Sequence, residues 1–156
     1  MAASKQYSDE LQRALARPDA DRLVEQLDAY SDHLATGEND RSDQHAEDFG
    51  EVLESDQNPD KALAYLALAL SRSDDASFLG FLGSGPLENL LIDPSADVLE
   101  RIVAEARKSA RFRWLLSNPF KVAIAERSWE AIEKFRITGP HEEPSYEALP
   151  PRRGRR

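Results

Sequence analysis

Apolar residues recur along most of this chain at intervals of three and four, the spacing that lines one face of an α-helix, and nowhere alternate over the length of a strand. Leu11, Ala14 and Leu15 mark a first helix over 8–16, closed by Pro18. Leu23, Val24, Leu27, Tyr30 and Leu34 mark a second over 19–35, stopped by Gly37. Residues 36–44 carry no apolar side chain and read as a loop, after which Phe49, Val52 and Leu53 predict a short helix over 45–55. Ala62, Leu63, Leu66, Ala67 and Leu70, widened by Leu68 and Ala69, give a stripe broad enough for a largely buried central helix. Val98, Leu99, Ile102, Val103 and Ala106 form a narrower stripe with Arg101, Glu105 and Lys108 on the outer side. Leu115 and Leu116 belong to a short helix before Pro119, and Val122, Ile124, Trp129, Ile132 and Phe135 to a last one.

Helix starts are read from a polar residue followed by proline, which combines a side-chain cap with a ring already fixed at helical φ. Asn58-Pro59, Asp93-Pro94, Asn118-Pro119 and the weaker Gly85-Pro86 place starts near 59, 94, 119 and 86. The most apolar segment, 77–93, holds Gly83, Gly85 and Pro86 in its middle. In a helix interior each Gly costs about 1 kcal/mol relative to Ala and a Pro about 3, so two short helices meeting at a sharp corner are expected, with Gly83 or Gly85 at positive φ. Glu88, set among Leu87, Leu90 and Leu91, then needs a partner. Arg111 or Arg113 is expected to contact it, with a capping box to the Ser84 or Gly85 amide as the alternative. The predicted fold is all-α: an antiparallel helical array, an irregular short solenoid-like stack of helix pairs, with proline spacings too unequal for a true repeat.

Length and charge refine this picture. A chain of 156 residues supports one core, read as a single helical domain over 8–136 between a disordered N-terminus at 1–7 and a disordered tail at 137–156, rich in proline and basic at its tip. No segment approaches the roughly 18 apolar residues of a membrane span, and none resembles a signal peptide, so a soluble cytoplasmic protein is expected. The absence of cysteine excludes disulfides, thiol nucleophiles and thiolate metal sites. Residues 1–58 hold 15 acidic and 5 basic side chains, against 14 and 15 in 59–156, so the net charge of −9 belongs to the N-terminal third. Such acidity disfavours nucleic acid and suits a basic partner or a solvated face.

Candidate chemistry is sparse. Gly80, Gly83 and Gly85 match neither a dinucleotide fingerprint nor a P-loop, since no strand precedes them and no Lys follows. Ser84 lacks the strand-to-helix elbow of a nucleophile. His33, His45 and His141 have no ligand-spaced partner, so no metal or other cofactor is expected, and no enzymatic activity. One stretch stands apart: 106–125 has five cations, Arg107, Lys108, Arg111, Arg113 and Lys121, no acid, and the aromatics Phe112, Trp114 and Phe120. Arg107, Lys108, Arg111, Arg113, Trp114 and Lys121 are the binding candidates, while Gly83, Gly85, Pro86 and Glu88 form a structural motif. Cations interleaved with aromatics suit a protein hot spot or phosphate contact with base stacking; they equally suit a core with a cationic rim.

The residues 62–66 (Ala-Leu-Ala-Tyr-Leu), 78–91 around Gly85-Pro86-Leu87-Glu88-Asn89-Leu90-Leu91, 102–106, and 110–116 (Ala-Arg-Phe-Arg-Trp-Leu-Leu) together resemble an uncharacterised bacterial family of unknown function. That family carries a Gly-Pro-Leu-Glu-(Asp or Asn)-Leu-Leu motif and a later Pro-Arg-Phe-Arg element. The resemblance covers about 59–118; Ala110 stands where the family tends to have Pro, and Asn118-Pro119-Phe120 departs from its Trp-containing pattern. It implies a helical bacterial domain with no assigned catalytic residue. The expected function is therefore a helical protein-interaction domain, by analogy an antagonist or accessory of a bacterial effector. The alternative is anion or nucleic-acid binding through 107–121 and the basic C-terminal tail.

Overall fold

The computed structural model describes residues 2–16, 18, 21, 22, 24, 25, 28 and 59–152. Its helices are α1 (Ala2–Ala16), α2 (Pro59–Arg72), α3 (Ala76–Leu82), α4 (Glu88–Ile92), α5 (Ala96–Lys108), α6 (Ala110–Leu116) and α7 (Glu126–Ile132), with single 3-10 turns at Lys121–Ala123, Glu133–Phe135 and Tyr146–Ala148. No strand occurs among the described residues, so the fold is all-α as the periodicity predicts. Among these residues no helix is long and apolar enough to cross a membrane. Of the helix expected over 19–35, Asp21, Arg22, Val24, Glu25 and Asp28 are helical and Val24 is buried; the rest of it, and the helix expected over 45–55, lie outside the described residues.

Helix α2 is the hub. Ala62, Leu63, Leu66, Leu68 and Ala69 are wholly buried, apolar around the whole circumference, because α1, α3, α5 and α6 all pack on it. Trp114, Phe112, Leu79, Leu87, Leu91 and Ile102 complete the core.

Two features expected from the glycines and prolines come out differently. The segment Ala76–Ile92 does not break: α3 runs into a π-helical turn at Gly83–Leu87 and on into α4, with φ −70° at Gly83 and no glycine of the segment in the positive-φ region. The reason is a strict four-residue spacing. Buried residues fall at 78, 82, 86, 90 and at 79, 83, 87, 91. In a plain α-helix each four-residue step overshoots a turn by about 40°, so three steps drift about 120° off the core; one residue absorbed by a π turn restores about 100° of that. The wider turn also removes Pro86 from the four-residue ladder that it would otherwise break. Gly83 is required by proximity: a Cβ there would lie 2.7 Å from the Leu115 carbonyl oxygen and 2.8 Å from Asn118 Cβ.

Capping explains the second difference. Helix α2 starts at Pro59 as expected, but α5 starts at Ala96, capped by Ser95, whose Oγ accepts from the Val98 amide at 3.2 Å, with Pro94 one residue outside. Asn118 starts nothing. Its Nδ2 donates back to the carbonyls of Trp114 (3.1 Å) and Leu115 (3.0 Å), closing the end of α6, and the last α-helix begins only at Glu126.

The ends of the chain are also more ordered than composition suggests. Helix α1 begins at Ala2 rather than Ser8, and Tyr7 is buried. Residues 137–152, expected to be disordered, lie along the domain: the Trp114 indole N–H donates to the Ser145 carbonyl at 2.9 Å, Arg111 donates to the Pro150 carbonyl at 2.6 Å, and Arg152 pairs with Asp74 at 3.2 Å. This strap has few apolar residues because polar side chains of the body hold its backbone, a signal that composition does not carry. Residues 153–156, the basic tip, lie outside the described residues.

Candidate docking groove

The turn from α4 into α5 is built to leave an apolar side chain outside the core. Leu90, Leu91 and Ile92 are consecutive, and a helix cannot bury three successive residues on one face. Leu90 and Leu91 go inward, while Ile92 stays 51% exposed. The end of α4 is fixed from below by α7: the Leu91 carbonyl accepts from the Ala125 amide (3.1 Å) and from Ser128 Oγ (2.8 Å), and Arg127 donates to the Pro94 carbonyl and the Asp93 carboxylate, both at 2.7 Å. Between this end and the first turns of α2 and α5 lies a groove of about 690 Å³, lined by Pro59, Asn89, Leu90, Ile92, Asp93, Pro94, Ser95 and Val98. Its floor is apolar. Its polar lining residues are Asn89, Ser95 and Asp93, the last exposed and paired with Arg127 at 2.7 Å.

The basic-aromatic stretch 107–121 is spent largely inside the protein. Arg111 is buried, and its guanidinium donates to the carbonyls of Leu70 (3.0 Å), Ser73 and Pro150, with Asp74 at 3.5 Å. Burial pushes its pKa down, although an arginine remains charged. Arg113 donates to the Ala106 carbonyl at 2.7 Å, and Trp114 is wholly buried. Arg136, likewise lowered by burial, donates to Leu116 (3.2 Å), Pro119 and Gly139 (2.6 Å) and stacks over Trp129 at 5.3 Å. These three arginines share one task, which is to satisfy carbonyls left open where α2, α5 and α6 end.

Of the remaining candidates, Arg107, Lys108 and Lys121 are exposed, with Lys108 paired to Glu105 at 3.1 Å and Lys121 over the Trp129 ring at 5.4 Å. The six candidate residues therefore do not form one surface. Glu88 meets neither Arg111 nor Arg113: its Oε2 accepts from the Phe120 amide at 3.3 Å, tying α4 to the segment after α6, and no cap bond forms at Ser84 or Gly85. Arg111 and Arg113 are already held by carbonyls, which no spacing rule exposes.

A second, smaller cavity of about 200 Å³ is lined by Ser71, Glu105, Ser109, Arg111 and Arg152 among others. Arg111 is engaged by four protein oxygens and Arg152 by the Arg72 carbonyl and Asp74, so the cations there are held by the protein itself. Among the described residues no three His, Asp, Glu or Cys side chains gather as metal ligands.

Fold and groove together define an all-α domain with a partly apolar groove beside its central helix. The chain belongs to a family of unknown function, DUF6869, whose match spans residues 35–139 and so contains the groove, α2 to α7 and the turn after them. No curated protein and no solved structure matches it.

Proposed function

We propose that this domain acts by holding a protein partner in the groove between α4 and α5, without catalysis. The observation that carries the reading is Ile92, half exposed in a groove of about 690 Å³ whose other apolar walls are Pro59, Leu90, Pro94 and Val98. An apolar side chain from a partner gains about 25 cal/mol for each Å² it removes from water there. Charge selects among partners. The exposed Asp93 carboxylate in the lining favours a short apolar segment that carries a Lys or Arg able to share it with Arg127. An antagonist or accessory of a bacterial effector would work in this way, by occupying its partner. The competing reading, anion or nucleic-acid binding through 107–121, loses support because Arg111, Arg113 and Trp114 are engaged within the protein.

The test is selection of a random displayed peptide library on the wild-type chain and on Ile92→Asp, with circular dichroism confirming that the variant is folded. Apolar peptides with basic flanks should enrich on the wild type and fail to enrich on the variant. Equal enrichment on both, or none on the wild type, contradicts the reading.

A further inference from the structure

Helix α1 rests on the body through an unusual seam. Its described core contacts are Tyr7 and, less deeply, Leu11. Beneath it lie Asp60 of α2 and Arg101 and Glu105 of α5, each 6–7% exposed. Buried charges of this kind are costly unless paired, and here the pairs are made within the body: Arg101 Nη1 donates to Asp60 Oδ1, and Glu105 Oε1 is paired by Lys108. Among the described residues α1 adds a hydrogen bond from the Tyr7 hydroxyl to Glu105 Oε1 at 3.0 Å and accepts one at the Leu15 carbonyl from Arg72 Nη2 at 3.4 Å.

The electrostatics oppose permanent docking. Burial raises the Asp60 pKa despite Arg101, and Glu10 of α1 pushes it further in that direction by like charge. Glu10 is itself paired within α1, with Arg13 at 2.7 Å. Lifting α1 would therefore return water to three charged groups that keep their partners. The uncovering costs the Tyr7 and Arg72 bonds and the apolar packing of α1 on α2. The sequence agrees with a separable element: α1 lies outside the family match, which begins at residue 35, and residues 17–58 separate it from α2.

We propose that the α2–α5 face under α1 is a helix-accepting site that recognises a tyrosine through Glu105, with α1 as its reversible occupant in the same chain. This goes beyond the groove at 89–98 and does not depend on it. The charges on the face are paired so that it can stand open to water. The tyrosine hydroxyl supplies the specificity, since a helix lacking a donor there would leave Glu105 desolvated with one partner fewer.

Native-state hydrogen exchange on the full chain reads the claim directly. Amides of α1 should exchange through an opening that leaves α2 and α6 protected, and Tyr7→Phe should speed α1 exchange roughly tenfold or more while α2 is unchanged. A labelled peptide of residues 2–16 is then added to full-length Tyr7→Asp, whose own helix cannot seat. It should bind saturably, and more tightly than to the wild type. Exchange of α1 and α2 in one global event overturns the proposal, as does global unfolding of Tyr7→Asp or a folded Tyr7→Asp that does not bind the peptide.

Discussion

Two glycines separated by one residue should respond to the same substitution with opposite sign. In Gly83→Ala the new Cβ meets the Leu115 carbonyl oxygen at 2.7 Å, Asn118 Cβ at 2.8 Å and Asn118 Nδ2 at 3.0 Å. The first of these is backbone, and Asn118 is held in place by bonds to the Trp114 and Leu115 carbonyls, so neither neighbour yields freely. Overpacking of this kind costs about 1–3 kcal/mol, and disturbing the two Asn118 bonds adds about 1 kcal/mol each. Helix propensity returns about 1 kcal/mol, leaving a net loss of about 2–4 kcal/mol. Gly85→Ala meets nothing within 4 Å beyond its own helix and chain neighbours and requires no positive φ; crowding of the new Cβ against the Pro86 ring offsets part of the propensity gain, so it should gain up to about 1 kcal/mol. The two variants then differ by about 2–5 kcal/mol, or roughly 4–20 °C in Tm for a domain of this size. Urea unfolding and thermal melts followed by circular dichroism measure both. If Gly83→Ala is neutral or stabilising, close approach of α6 is not what requires glycine at that position.

Arg111→Lys should cost about 2–4 kcal/mol in urea unfolding, since a lysine cannot span the Leu70, Ser73 and Pro150 carbonyls that the guanidinium fork serves at once; it should also make 140–152 more sensitive to limited proteolysis. Trp114→Phe keeps most of the buried ring but loses the N–H bond to the Ser145 carbonyl, and should cost about 1–2 kcal/mol with increased exchange near 145. Asp60 has a folded pKa raised by burial, so the folded state binds its proton more tightly than the unfolded chain does. Its contribution is therefore greatest at low pH and is lost as pH rises from about 4 through the raised value. The unfolding free energy of the wild type minus that of Asp60→Asn should fall with rising pH across that window; a rise would contradict the assignment.

Helix positions were legible where periodicity and a tertiary role coincide. The all-round apolar run of α2 could only be a central helix, and α2 does start at Pro59. The segment 77–93 misleads because Gly83, Gly85 and Pro86 each look like a break by intrinsic cost, whereas the four-residue spacing of buried positions from 78 to 91, visible only in the structure, is met by an underwound turn. Side-chain partners were less legible. Arg111, Arg113 and Trp114 have the composition of a binding patch, but helix ends and the backbone of the C-terminal strap claim them, and those partners are 7 to 41 residues away in sequence. The groove left one trace, Leu90-Leu91-Ile92, three apolar residues on a helix that can turn only two of them inward.

Docking of a partner in the groove is tested most directly by titration of isotopically labelled protein with a peptide selected on the wild type, followed by backbone and methyl NMR. Saturable shifts should centre on Asn89, Leu90, Ile92, Ser95 and Val98, weaken as salt is raised, and vanish in Ile92→Asp. Shifts centred instead on Arg107, Lys108 and Lys121, or unchanged by Ile92→Asp, would contradict it.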